Sequence, residues 1–434
     1  MDRPTVAPST WLERDAAVVW HGFTQMAAYS DSSAIVVERA EGRELIDVEG
    51  RHYLDAMSSL WVTTLGHCVP ELDDALRRQL ELVAHSTMLG NGNRVVIELA
   101  EALAAVVPVE HPHFLFASDG AAAVEQALKI ALQYWVNQGH PERRSYLALG
   151  SAYHGDTVGS LSLGDGGFGT DLFDPLRFPV LRTPGYDDPG WLEKALATVE
   201  RSAHELAAVV VEPLVQGAAG MLVADPADVE RLGRACAEAG VLLVADEVAT
   251  GFGRTGRLFA SEWCDLHPDL LCLGKGLTGG YLPMSATVAT GGVFDAFLGE
   301  DLSPRTFFHG HSYGGNALAA AVALEHLRLL GDGQVLANVG RRAEQLDRLL
   351  QVRLGGHRAV AAIRQRGLMV GVELAPPVAG LRWGRLVCAA AVRRGVLLRP
   401  LGDVVVVMPP LTITAEEIDC IVDVLGKAVD EVTA

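Results

Sequence analysis

Between about His67 and Glu325 the chain alternates short, wholly apolar runs with stretches of helical periodicity, and no other feature constrains the fold as much. Strands that are apolar on both faces need helices on both faces of their sheet, so the alternation predicts a parallel α/β sheet. Four runs stand out: Phe114–Ala117, Ala208–Val211, Val241–Ala245 and Leu270–Leu273. Between the second and third, Pro226 to Ala239 has the spacing of an amphipathic helix stopped at Gly240, which completes a βαβ unit. Such sheets bind ligands at the carboxyl ends of their strands, and each of these runs ends on a polar residue.

The flanks read differently. Ile35 to Asp55 is a set of short apolar pieces broken by Gly42 and Gly50, which predicts a small antiparallel element. Beyond Arg341 come further helix and strands near Leu368–Leu374 and Val404–Met408. A chain of 434 residues is too long for one core. The expected class is therefore α/β, with a mostly parallel sheet in a large domain of residues 67–325. A smaller α+β domain would be assembled from both termini, residues 1–66 and 326–434.

Composition narrows the function. With 35 basic against 54 acidic residues the net charge is -19, which disfavours a sequence-independent grip on nucleic acid or on anionic membrane. No run of eighteen apolar residues occurs, and the N-terminal MDRPTVAPSTWLERD has no apolar leader core, so a soluble, cytoplasmic protein is expected. The six cysteines are scattered, without a C-x-x-C pair or zinc-like spacing, and read as buried reduced thiols.

Two strand ends carry the chemistry. Lys275 closes the run Asp269-Leu-Leu-Cys-Leu-Gly-Lys275 and is followed by small residues. A lysine that forms a Schiff base must lose its charge and approach an aldehyde closely, and a desolvated strand end suits both needs. On local sequence alone a lysine leaving its strand for solvent fits as well. Asp246 closes the preceding strand, and pyridoxal phosphate needs a carboxylate against its ring nitrogen to act as an electron sink. A helix-capping role is the structural alternative for this aspartate. Ser118-Asp119-Gly120-Ala121-Ala122 lies where a strand meets a helix, a place that suits a phosphate or merely caps the helix. Gly251-Phe-Gly253-Arg-Thr-Gly256 matches the dinucleotide fingerprint, but it is detached from its strand and opens no clear helix, so a Rossmann-type site is rejected.

Taken together, Asp246-Glu-Val-Ala-Thr-Gly-Phe-Gly-Arg-Thr-Gly256 and Gly274-Lys275-Gly-Leu-Thr-Gly-Gly resemble the class III (ω-amino) aminotransferases. Further cues are Trp20-His-Gly-Phe-Thr-Gln25, Asp55-Ala-Met-Ser-Ser-Leu-Trp61, Tyr153-His-Gly-Asp156, Phe308-His-Gly-His-Ser312 and Leu398-Arg-Pro-Leu-Gly402. The resemblance implies fold type I, pyridoxal 5'-phosphate as cofactor and a homodimer with shared active sites. It implies that Lys275 binds the cofactor aldehyde, Asp246 its nitrogen and Tyr153 its ring. Gly120 and Ala121 would offer backbone to the phosphate, with His311 and Ser312 reaching it from a second subunit. Arg399 would take a substrate carboxylate, although a structural ion pair is its alternative, and Trp61, Asp156, Gly310 and Phe23 would border the substrate.

Within the family the chain looks most like members that convert 8-amino-7-oxononanoate to 7,8-diaminononanoate in biotin biosynthesis, with S-adenosylmethionine as amino donor. Phe23, Leu60 and Val406 stand where many such relatives carry Tyr, Trp and Tyr. These departures leave lysine open as donor, and another ω-aminotransferase acting on a diamine or ω-amino acid as the wider alternative.

Overall fold

A computed structural model describes residues 10–29, 32–165 and 170–434. The first nine residues, within the stretch read as lacking a leader, lie outside them. A seven-stranded sheet runs in the order His113–Ala117, Ser285–Ala289, Leu270–Leu273, Leu242–Asp246, Leu206–Val211, Ser145–Leu149 and Leu181–Thr183. The last five of these pair in parallel. Leu206–Val211 is buried at every residue, as a strand covered on both faces must be.

Ser285–Ala289 departs from the expected pattern. It is antiparallel to both neighbours, so His113–Ala117 regains the common direction. Its sequence Ser-Ala-Thr-Val-Ala conceals it, because two hydroxyl residues interrupt the apolar run. The Thr287 hydroxyl is nonetheless buried and satisfied, donating to the Ala123 carbonyl at 2.7 Å and to Gln126 at 2.9 Å.

The helix Pro226–Glu238 forms as read: the Asp225 side chain caps it, proline occupies its first turn, and Gly240 follows at φ 61°. Gly120–Asn137, capped by Asp119, buries Val124, Ala127, Leu128, Ala131 and Trp135 against the sheet. The fingerprint-like loop holds no open cradle. Arg254 fills it, fully buried, donating to the Thr63 and Pro409 carbonyls at 2.8 and 2.7 Å.

At the N-terminal side, Val37–Glu41, Glu44–Asp47 and His52–Asp55 form the antiparallel element expected between Ile35 and Asp55. Val396–Leu397 joins it in parallel beside His52–Asp55, so distant segments of the chain share one small sheet. A second four-stranded sheet contains Val360–Arg366, Met369–Leu374, Val404–Val407 and Arg399–Leu401. Four cysteines are buried as expected, but Cys68 and Cys420 are exposed. Cys68 stands at φ 52° in a turn ahead of a helix, and Cys420 is on an outward position of Ala415–Thr433. No disulfide involves them. Among the described residues no helix is long and apolar enough to cross a membrane.

One buried histidine gives the fold a pH signature. His326 lies beneath the turn after Lys275, 2.6 Å from the Thr64 hydroxyl, and burial pushes its pKa down to about 4. The unfolded chain binds a proton on this residue near pH 6.5 and the folded chain does not, so its contribution to stability is complete above pH 6.5. It is lost as pH falls from 6.5 towards 4, by roughly 3 kcal/mol in full. Denaturant melts of the His326→Gln variant should show a flatter decline across that window than the parent chain. Identical slopes would remove His326 from the account.

Candidate active site

The carboxyl ends of the parallel strands open into a cavity of about 630 Å³, within the usual range for small-molecule sites. Seven of the residues expected from the sequence line it: Trp61, Gly120, Ala121, Tyr153, Asp156, Asp246 and Lys275. Lys275 follows its strand at φ 41°, a left-handed conformation that a side chain adopts only when its surroundings demand it. Its amine lies 4.9 Å from the centre of the Trp61 ring. Burial lowers the Lys275 pKa against the opposing pull of the Asp246 and Glu212 charges, which favours the neutral, nucleophilic amine.

Asp246 ends Leu242–Asp246, one strand over. Its Oδ1 accepts the Val248 N–H at 3.0 Å, and its Oδ2 is 2.8 Å from Nδ1 of His154. His154 is wholly buried. Burial works against its charge, but the hydrogen bond and charge of Asp246, with the charge of Glu212, prevail and raise its pKa. The Nδ1 of His154 thereby orients the Asp246 carboxyl towards the cavity, where a pyridinium nitrogen requires a carboxylate. Glu212, at the end of Leu206–Val211, accepts the N–H groups of Tyr153 and Gly217 at 3.1 Å each. Burial raises its pKa to about 7.

The helix Gly120–Asn137 points its N-terminus at the cavity. Asp119 accepts the Ala122 N–H, while the N–H groups of Gly120 and Ala121 have no acceptor within the helix. Gly120 is required here: a Cβ would stand 2.5 Å from Val248 Cγ1. Tyr153 presents an aromatic face, and burial and its bond to Asp156, at 2.9 Å, push its hydroxyl pKa up. A neutral amine, a fixed carboxylate, an aromatic face and free helical N–H groups match the aldehyde, nitrogen, ring and phosphate of pyridoxal phosphate. The residues fit the group.

Other expected residues lie elsewhere. Phe23, 64 % exposed, borders a smaller hollow that shares Tyr153, Gly155 and Ala218 with the main cavity. His311 borders a separate hollow with Leu89 and Phe116, Gly310 lies against Leu89, and the Ser312 carbonyl accepts from His85 at 2.8 Å. Arg399 is half-buried in Arg399–Leu401, its backbone paired with Val406, and its guanidinium makes no hydrogen bond or ion pair among the described residues. It does not line the cavity, and neither does the buried Val406 opposite it. His154, Glu212 and Val248 were not singled out from sequence. Their signals were weak: His154 sits within a quoted motif, and the other two stand at or just past strand ends.

Asp246 and Lys275 at adjacent strand ends, facing a helix N-terminus across a mixed and mostly parallel sheet, define a pyridoxal-phosphate enzyme of fold type I. The family described as "Aminotransferase class-III" matches residues 25–429. The adenosylmethionine-8-amino-7-oxononanoate aminotransferase of Nitratidesulfovibrio vulgaris is 46 % identical, over 96 % of this chain and 81 % of that protein. That of Geobacter sulfurreducens is 39 % identical over 99 % of each. The solved structure of the Methanocaldococcus jannaschii enzyme of that name superposes with a TM-score of 0.93 at 37 % identity, covering 96 % of this chain and 98 % of that one. An omega transaminase from Pseudomonas jessenii, in complex with PMP, gives a TM-score of 0.92 at 28 % identity over 98 % of each chain. The chain belongs to the class-III aminotransferases, and it is a pyridoxal-phosphate-dependent transaminase.

Proposed function

We propose that the chain transfers an amino group to 8-amino-7-oxononanoate, giving 7,8-diaminononanoate for biotin synthesis, with S-adenosylmethionine as donor. The observation that carries this reading is identity of 46 % and 39 %, over nearly all of this chain, to proteins named for that donor and acceptor, joined to the cavity of Lys275, Asp246 and Tyr153.

Bound pyridoxal phosphate supplies an aldehyde and a protonated ring that accepts electrons. Gly120 and Ala121 would offer backbone N–H groups to the phosphate, Asp246 with His154 behind it would hold the ring nitrogen, and Tyr153 would cover a ring face. Lys275 Nζ would hold the aldehyde carbon. As a free amine, Lys275 Nζ would take the proton from the amine-bearing carbon of the donor and return one to the carbonyl carbon of the acceptor. Trp61 and Asp156 border the substrate, with Phe23 and Gly310 at its edges, and Arg399 offers a free guanidinium to its carboxylate.

The site is completed across a homodimer. Phe308, 68 % exposed, and Tyr313, 63 % exposed, flank Gly310, His311 and Ser312, and these three lie away from the chain's own cavity. That placement supports a role for His311 and Ser312 in the partner's phosphate site and for Gly310 beside the partner's substrate. A cytoplasmic location accords with this chemistry.

The donor is tested by supplying 8-amino-7-oxononanoate with S-adenosylmethionine or with lysine in parallel and measuring the diamine. Product with S-adenosylmethionine alone is expected. Product with lysine alone would transfer the reading to a lysine-dependent enzyme, a result that Leu60 at the cavity and Phe23 in the adjoining hollow would then explain. No diamine with either amine would overturn the acceptor.

A further inference from the structure

The turn that carries Trp61 is strained without glycine. Ser58, Ser59 and Trp61 have φ of 51°, 59° and 64°. Ser59, at ψ −79°, lies near the rare γ-turn geometry. Residues with a side chain hold such angles only where the surroundings over-determine them.

Here the surroundings centre on Asp55, which is fully buried at the end of His52–Asp55. Its two carboxylate oxygens accept the Ser59 N–H at 2.9 and 2.8 Å, and Oδ2 also accepts the Ser59 hydroxyl at 3.3 Å. His67 Nε2 approaches the same oxygen at 3.0 Å. On the outer flank, the Ser58 hydroxyl donates to the Met408 carbonyl at 2.7 Å and Arg254 donates to the Thr63 carbonyl at 2.8 Å. The turn thereby sets the Trp61 ring between Lys275 and Gly217, where a Cβ would meet the ring at 3.3 Å.

We propose that Asp55 is a positioning residue for the transamination: through Ser59 it fixes the turn that sets Trp61 against the Lys275 amine and the acceptor. This rests on Trp61 bordering the acceptor, as in the proposed function. An asparagine keeps one acceptor oxygen but turns an N–H₂ towards the remaining donors, so Asp55→Asn loosens the turn without emptying the site.

The test uses protein labelled with 5-fluorotryptophan, whose seven tryptophans give seven fluorine resonances; the Trp61 signal is the one lost in Trp61→Phe. In Asp55→Asn that resonance should shift or broaden while the other six stay. The KM for the acceptor should rise about tenfold, with cofactor absorbance retained. In a Trp61→Phe background the same substitution should change KM by less than about twofold, because the two act as a unit. Ser59→Gly removes the strain and should restore both the resonance and the KM of Asp55→Asn. An unmoved Trp61 signal, movement of all seven together, fully multiplicative KM effects, or no rescue by Ser59→Gly would each overturn the proposal. If Asp55→Asn does not fold, the double variant should, and a double variant that stays unfolded also overturns it. The fluorine readout needs no substrate, so it decides whether Asp55 fixes Trp61 against Lys275 even if the parent chain fails to aminate 8-amino-7-oxononanoate.

Discussion

Lys275→Ala is expected to lower turnover by at least about 10⁴-fold, because it removes the group that bonds the cofactor aldehyde and the base that moves the proton. The purified variant should also lack the absorbance of the lysine-bound cofactor. Far-UV circular dichroism should be unchanged, since among the described residues the amine makes no hydrogen bond or ion pair and lies 4.9 Å from the centre of the Trp61 ring. Alanine inherits the same φ of 41°, so the backbone strain is not relieved and does not confuse the result. A variant that stays yellow and active would refute the assignment of Lys275 outright.

Asp246→Asn should rank second, with kcat/KM falling about 10³-fold while the cofactor remains bound through Lys275 and the helix N-terminus. Two effects combine. The ring nitrogen loses the charge that keeps it protonated, and His154 loses the partner that raises its pKa against burial. His154 should therefore titrate at lower pH in the variant, which NMR of its imidazole would register. A loss of only a fewfold, with His154 unmoved, would show that another group faces the ring nitrogen.

How far the chain could be read in advance depended on whether each feature was local. Leu270–Leu273 and the helix after Asp225 were legible because burial, capping and helix stops are written in adjacent residues. Lys275 and Asp246 were legible as strand ends, and their pairing followed from neighbouring strands. Ser285–Ala289 was hidden because its buried hydroxyl finds its partners on a distant helix. The left-handed angles at Ser58 and Ser59 were equally invisible, since serine carries no signal for positive φ and the contacts that impose it come from Asp55 and Met408. The His154–Asp246 pair spans 92 positions, and no local pattern announces it. Arg399 shows the limit from the other side: its free guanidinium invites a carboxylate, but the cavity of the single chain does not reach it.

The bond from Ser58 to the Met408 carbonyl joins residues 350 positions apart, and beside it Val396–Leu397 closes the small sheet against His52–Asp55. On the ribosome, domains fold as units, the N-terminal parts first. Here the wall bearing Trp61 must wait, because one of its fastenings, Met408, is translated long after the turn itself. A nascent chain halted before Met408 would already hold Lys275 and Asp246 in a finished sheet, yet its cavity would stand open on one side. Synthesis of the segment that carries Val396–Leu397 and Met408 is thus the step that completes the wall, and truncations ahead of it should remove activity before they remove the central fold.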